Sequence, residues 1–379
     1  MKKKICIITN GYPTKDDPVY AFIQPLAREM ADAGISCTVI APQSVSKMAV
    51  AKKVKRPYQW IDRTEKGNEV VIYQPEYVSV SNVTIFGYRL STIMRDASIK
   101  KCFYKEKMSP DVLYAHFWDC GVAACKLAER TKTPVFVATV ESEIRVPKYY
   151  PPKYIDRYLP YVTGVIAVST KNLEESRGMG LLKHCTKTIV LPNAFNPSEF
   201  YSISKVEARK SLNMDINAKI AIFVGAFSER KGISRVIEAA KQIPDLQLIL
   251  IGSNEKKYTS EQVIFSGKLP HHDIVKYLNA ADVFVLPTRA EGCCNAIIEA
   301  LACGLPVISS NLPFNKDVLD NSCSILVDPD NIKEISNALK TLVTDYKLRT
   351  DLSYGSLEKS KELTISNRAK SIISFIKKC

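Results

Sequence analysis

The sequence predicts an α/β protein of two successive lobes, each a doubly wound parallel sheet flanked by helices. Three observations carry this. At 379 residues the chain is longer than one hydrophobic core usually serves. Short β-branched runs alternate with amphipathic segments, the pattern of parallel strands joined by crossover helices. The alternation stops at PNAFNP, residues 192–197, and then begins afresh. The expected division is 1–194, 195–364, and a C-terminal helix at 365–379 that packs back toward the first lobe.

In the first lobe, KICIIT (4–9) reads as the opening strand. Residues 22–33 follow as a helix stopped by Gly34, and 37–41 as the second strand. Further strands are expected at 70–74, 112–115, 135–138, 165–168 and 189–191, each a short β-branched or apolar run. The second lobe repeats the scheme with strands at 220–224, 246–251, 264–266, 283–286, 307–309 and 324–327. Helices are expected at 233–241, through Tyr277, at 296–302, and along the tail after Asp330. Two such lobes leave a cleft where the carboxyl ends of their strands face each other, the expected place for a nucleotide ligand.

Composition narrows the class. With 46% hydrophobic and 24% charged residues the chain is an ordinary globular protein. No stretch approaches the length of a membrane span, and the opening apolar run is too short for a secretory signal, so a cytoplasmic protein is expected. Eleven scattered cysteines without a CxxC pair, and only four histidines, argue against a disulfide framework or structural zinc. Charge is uneven. Residues 1–195 hold 29 Lys+Arg against 18 Asp+Glu, a balance of +11, whereas the remainder holds 24 against 21. Basic clusters at Lys2 to Lys4, at Lys52, Lys53, Lys55 and Arg56, and at Lys100 and Lys101 suit anionic acceptors or an anionic membrane surface; a solvated surface with no partner is the competing reading. The lack of an aromatic platform among them disfavours nucleic acid. The tyrosine-rich basic stretch 149–161 suits either a membrane surface or the packing of an ordinary helix.

Two segments carry chemistry. EGCCNAIIEALACGLPVI, from Glu291 to Ile308, places Glu291 in a loop directly after a strand and Glu299 in the following helix. A carboxylate accepts hydrogen bonds from two vicinal hydroxyls, and free N–H groups at a helix start favour negative charge, so the pair suits a nucleotide sugar. A turn glutamate and an exposed helical one fit the spacing equally well. VGAFSERKGI, from Val224 to Ile233, ends a strand in Gly225, where backbone can approach a ligand, and delivers Arg230 and Lys231 before the next helix. Two cations there can neutralise a departing diphosphate, although loop cations usually face solvent.

In combination with ADVFVLPT, ILVDPDN and, more loosely, TNGYP, HFWDCG, VIAVS and VLPNAFNPSEF in the first lobe, these segments resemble the retaining GT-B family of bacterial sugar transferases known as glycosyltransferase group 1, family 4-like. The resemblance implies two Rossmann-like domains facing across a cleft. It also implies transfer of a hexose or N-acetylhexosamine from a UDP- or GDP-sugar to a lipid-linked or oligosaccharide acceptor in surface-polysaccharide synthesis, at or near the inner face of the membrane, with no cofactor and no metal. Matched residue by residue, Glu299 would hold the ribose hydroxyls and Glu291 those of the transferred sugar. Arg230 and Lys231 would face the diphosphate, and the backbone from Cys293 through Cys294 to Asn295 its sugar end. Gly11 would close on the phosphates, the base would rest near Gly252, Ser253, Lys268 and Leu269, and Asn193 would be structural.

The chain departs from the family pattern at three places. Ala226 follows Gly225 where an arginine is usual, with Arg230 able to supply the charge. Glu141 stands where a histidine helps position the donor sugar. Val19, Tyr20 and Ala21 stand where paired glycines are usual. His116, at a strand end, and Glu141 are acceptor-side candidates; His116 is equally readable as a structural residue beside Trp118. The departures keep open a catalytically silent nucleotide-sugar-binding protein. The missing GxGxxG after the first strand disfavours a nicotinamide dehydrogenase.

Overall fold

The computed structural model describes residues 2–14, 17, 20, 22–80, 83–253, 258 and 260–379. The chain forms two compact units: Met1–Leu191 with Arg368–Cys379, and Pro192–Asn367. Among the described residues no helix is long and apolar enough to cross a membrane.

The first unit runs β1 (Lys4–Ile8), α1 (Ile23–Asp32), β2 (Ser36–Ile40), β3 (Gln43–Ser44), α2 (Val45–Val50), β4 (Gln59–Arg63), β5 (Glu69–Tyr73) and β6 (Glu76–Tyr77). A hairpin of β7 (Thr84–Ile85) and β8 (Tyr88–Arg89) leads to α3 (Leu90–Lys105), β9 (Val112–His116), α4 (Trp118–Thr131), β10 (Val135–Thr139), α5 (Pro152–Tyr158), β11 (Val162–Ala167), α6 (Thr170–Gly178) and β12 (Thr188–Val190). Within the described residues the main sheet has the order β12-β11-β10-β9-β1-β2-β5-β4. Every pair in it is parallel except β4–β5. The central strands are apolar throughout because helices cover both faces; β9 and β10 are buried at every position.

The antiparallel edge strand β4, QWIDR, has no counterpart among the strands expected from sequence. Its polar and apolar residues do not alternate, and only Asp62 is buried. That carboxylate is held by the Tyr12 hydroxyl at 2.6 Å, Gln24 at 3.0 Å and Arg28 at 2.6 Å. The tyrosine-rich stretch packs its rings on one another and inward. Tyr150 and Tyr158 are buried, Tyr150 stacks on Tyr154 at 5.5 Å, and its hydroxyl donates to Asp96 at 2.7 Å. At the end of the chain, α13 (Ile365–Lys378) carries Phe375 to within 5.8 Å of the Phe136 ring in this unit.

The second unit runs α7 (Lys205–Ser211), β13 (Lys219–Val224), α8 (Ile233–Ala240), β14 (Leu246–Ile251), β15 (Val263–Gly267), α9 (His271–Ala280) and β16 (Val283–Leu286). It continues with α10 (Asn295–Ala302), β17 (Val307–Ser310), β18 (Ser324–Val327), α11 (Ile332–Thr344) and α12 (Tyr346–Ser360). Among the described residues its sheet is all parallel, in the order β15-β14-β13-β16-β17-β18. Strands β13 and β16 are neighbours although two others lie between them in sequence. The winding direction reverses there, and in open α/β sheets ligands bind at the carboxyl ends of such a pair. The strand ends at issue are Val224 and Leu286. The loops that leave them are the two segments singled out by sequence.

Candidate active site

The loop after β13 is locked onto the loop after β16 by backbone rather than by side chains alone. Gly232 sits at φ +85°, and a Cβ there would lie 2.6 Å from the Pro287 carbonyl, so only glycine fits this turn. Arg235, on the first turn of α8, donates to that same Pro287 carbonyl at 2.9 Å and to the Glu229 carbonyl at 3.0 Å. The Arg289 amide donates to the Arg230 carbonyl at 2.9 Å. Ser309 and Ser310 hold the base of the second loop from below, Ser309 donating to the Leu286 carbonyl at 2.8 Å and Ser310 to the Thr288 carbonyl.

On this platform three donors converge on one oxygen of Glu291. Lys231 Nζ lies 2.6 Å from Oε1, Thr288 donates to it at 2.8 Å, and Arg230 lies 3.2 Å away. Lys231 and Glu291 are nearly buried, with side chains 12% and 10% exposed, whereas Arg230 is 45% exposed. The other oxygen, Oε2, has no partner among the described residues, so the carboxylate is oriented by protein and keeps an acceptor to offer. Arg230 also donates to the Ala290 carbonyl.

Glu299, on α10, is buried and shares Oε1 with His271 Nε2 at 3.2 Å; His271 Nδ1 faces Glu199 at 3.4 Å. Sandwiched between Glu199 and Glu299, the His271 imidazolium is stabilised and its pKa rises to about 10. The start of α10 is fixed by Asn193, whose side-chain amide donates to the Cys293 carbonyl at 3.1 Å and to Asn295 Oδ1 at 2.9 Å. Cys294 is buried at the N-cap, and its thiol is pushed up by that burial.

Gly225 extends β13 by one residue, its amide donating to the Ile251 carbonyl at 2.9 Å. Gly252 crosses directly over it: a Cβ on Gly252 would lie 1.9 Å from the Gly225 carbonyl oxygen and 2.8 Å from the Phe227 ring. Ser253 follows, its carbonyl accepting from the Phe227 amide at 3.4 Å. Lys268 and Leu269 lie between β15 and α9, Lys268 exposed and Leu269 packed against the core of the unit.

In the first unit, Gly11 lies under Tyr20, whose ring would be 2.7 Å from a Cβ there; Val19 and Ala21 fall outside the described residues. Glu141 bridges the start of α4 and the end of β10. It accepts from the Trp118 amide at 2.8 Å, the Thr139 hydroxyl at 2.9 Å and the Val140 amide at 2.8 Å, and burial lifts its pKa to about 7. His116 is 3% exposed. Its ring stacks on Phe22 at 5.0 Å and meets Phe117 edge-on at 4.8 Å, and desolvation lowers its pKa to about 3. Neither ring nitrogen finds a hydrogen-bond partner among the described residues.

Residues 204–359, all in the second unit, match the family model described as glycosyl transferases group 1. Over that stretch the chain is similar to the group 1 glycosyltransferases. A relative from Bacillus subtilis named for teichuronic acid biosynthesis, the glycosyltransferase TuaC, is 28% identical over 349 residues, covering 89% of this chain and 88% of its own length. The fold is GT-B. It superposes on sucrose-phosphate synthase from Thermosynechococcus elongatus with a TM-score of 0.78 at 18% identity, covering 100% and 99% of the two chains. On the Anabaena protein HepE, crystallised in complex with UDP and glucose, it superposes with a TM-score of 0.69 at 16% identity and full coverage of both chains.

The structure thus brings Arg230, Lys231 and Glu291 together, and sets Glu299 with a partner that sequence reasoning did not name. His271 lies 28 residues before Glu299, at the first turn of a different helix, and no local spacing points to it. Thr288, three residues before Glu291, was within reach of a closer reading: a threonine just after a buried strand is placed to orient a carboxylate in the same turn.

Proposed function

We propose that this glycosyltransferase moves a hexose or N-acetylhexosamine from a UDP- or GDP-sugar to a lipid-linked or glycan acceptor in cell-surface polysaccharide synthesis, with retention and without a metal. The observation that carries the reading is the Lys231–Glu291 pair, nearly buried at the switch point with Arg230 beside it. In the transfer, the bond from sugar C1 to the diphosphate oxygen breaks and its electrons pass to the leaving group. The acceptor hydroxyl attacks C1 from the same face, and its proton passes to the departing diphosphate. Arg230 and Lys231 supply the positive charge that this oxyanion needs, in a site whose exclusion of water strengthens the interaction.

The carboxylates hold the two ends of the donor. Glu291 keeps Oε2 for hydroxyls of the transferred sugar, and Glu299 offers its second oxygen to the ribose. UDP in the HepE complex and the teichuronic acid name of the B. subtilis relative support the donor class and the polysaccharide setting. The excess of 29 basic over 18 acidic residues in positions 1–195 supports an anionic acceptor or membrane surface. The test is nucleotide release from a panel of UDP- and GDP-sugars with and without EDTA, with membrane extract as acceptor source. Release from one donor, unchanged by EDTA, is expected. Binding of a donor with no release under any acceptor condition would replace the transferase reading by the silent binding protein.

A further inference from the structure

The second unit holds a cavity of about 250 Å³ that none of the candidate site residues lines. Asp282 and Pro306, which immediately precede β16 and β17, form part of its wall, so it lies at the amino ends of strands whose carboxyl ends lead to the candidate site. The charged residues lining it are Lys205, Arg349 and Asp282. The Asp282 carboxylate is already engaged: the buried Arg209 pairs with it at 2.8 Å, the Ile220 amide donates to it at 2.9 Å, and Lys205 reaches its other oxygen at 2.6 Å. Arg349 gives one N–H to the Leu342 carbonyl at 2.7 Å, lies 5.5 Å from the centre of the Tyr346 ring, and pairs with no carboxylate among the described residues. A half-buried guanidinium that keeps donors to offer, with an ammonium lining the same cavity, suits a phosphate group.

The cavity also meets the far ends of the two helices that carry His271 and Glu299. Asn279, in the last turn of α9, and Cys303, which caps α10, both line it. The segment 199–205 joins the same two places. At its start Glu199 faces His271 at 3.4 Å, and the Phe200 ring meets that imidazole at 5.0 Å. Further on, the Tyr201 carbonyl accepts from the Asn279 side chain at 2.9 Å and the Ile203 amide donates to it at 2.8 Å. At its end Lys205 reaches the cavity. A ligand that draws on Lys205 therefore pulls on the stretch of chain that holds His271 against Glu299.

We propose that this cavity is an effector site for a small phosphate-bearing ligand, and that its occupancy changes the affinity of the donor site for nucleotide. The second half rests on the reading of Glu299 as the ribose-holding residue. The full chain, saturated with whichever of UDP or GDP binds so that the diphosphate position is filled, is titrated by calorimetry with inorganic phosphate and with glucose 1-phosphate. Nucleotide affinity is then measured with and without the stronger probe, whose identity tells free phosphate from a phosphate ester. Expected is saturable binding, weakened about tenfold or more by Arg349→Gln and, should that variant fold poorly, by Ser202→Asp, which sets a carboxylate at an exposed position of the wall. Nucleotide affinity should shift about fivefold or more with the probe in the parent and not in the variants, and should match the parent's when no probe is present. Absence of saturable binding, binding that the folded variants leave intact, or a nucleotide affinity indifferent to the probe overturns the proposal. Failure of both nucleotides to bind would sink the donor assignment instead, and loss or retention of phosphate binding in the variants would still decide the cavity.

Discussion

Replacing Lys231 by alanine separates two things the same lysine does. Its ammonium lies 2.6 Å from Glu291 in a site where both side chains are about nine-tenths buried. Breaking a buried pair by deleting one partner costs about 3 to 5 kcal/mol when the remaining charge is left alone. Here Thr288 at 2.8 Å and Arg230 at 3.2 Å still hold the carboxylate, so the stability loss should be nearer 2 kcal/mol, or about 4 to 8 °C in Tm for a unit of this size. The kinetic loss should be larger. If Lys231 faces the leaving diphosphate, its removal should lower kcat by about 10² to 10³, equivalent to about 3 to 4 kcal/mol of transition-state stabilisation. Single-turnover donor consumption, measured well below the Tm of the variant, reads this directly. A Lys231→Ala protein that melts early but turns over within about threefold of the parent would refute the assignment and leave Lys231 as a structural partner of Glu291. The double variant with Glu291→Ala sharpens the point. A lysine that acts only through Glu291 makes the double variant no slower than Glu291→Ala alone.

Glu299→Gln should weaken nucleotide affinity while sparing the hydrolysis of donor that does bind, checked by titration with UDP and GDP. The ion contacts of His271 raise its folded pKa to about 10 above an ordinary 6.5, so the stability they contribute is fully present below pH 6.5 and is lost as pH rises through 10; Tm measured from pH 6 to 10 should fall more steeply for the parent than for His271→Gln. Glu141 titrates at about 7 instead of 4.5 because burial disfavours its charge, so its folded state binds the extra proton and stability falls as pH rises through that interval; Glu141→Gln should flatten the parent's Tm–pH slope between 4.5 and 7. Gly252→Ala places a methyl 1.9 Å from the Gly225 oxygen, so backbone must move, and a loss of about 1 to 3 kcal/mol in chemical denaturation with weaker nucleotide binding is expected.

The strands legible from sequence are those for which burial writes a continuous apolar run. Strands 246–251, 283–286 and 324–327 coincide with β14, β16 and β18 residue for residue; β16 is apolar and buried throughout, and β14 and β18 each carry a single polar residue, Gln247 and Ser324, in an otherwise apolar run. The edge strand β4 was illegible for the converse reason. Its buried residue is Asp62, an anion whose burial is offset by Tyr12, Gln24 and Arg28, and no periodicity of apolar residues reports that. The same limit governs the sites. Glu291, Arg230 and Lys231 stand out because local loops present them, and Glu299 because the next helix does, but the pairing of Lys231 with Glu291 joins positions sixty residues apart and is a property of the β13–β16 adjacency. The basic run at 52–56 looks like a solvated surface until Asp17, from another loop, draws Lys53 and Arg56 onto one wall of a cavity. His116 makes the sharpest case. A histidine at the end of a parallel strand stands where ligands bind, but Phe22 and Phe117 cover its ring, so desolvation keeps the imidazole neutral. Glu141, reached from the neighbouring strand, instead spends its carboxylate on the Trp118 amide at the start of α4, the kind of helix terminus that otherwise attracts an external anion. What a strand end can do is therefore decided by which side chains fold over it, and those come from segments that no local pattern ties to the strand.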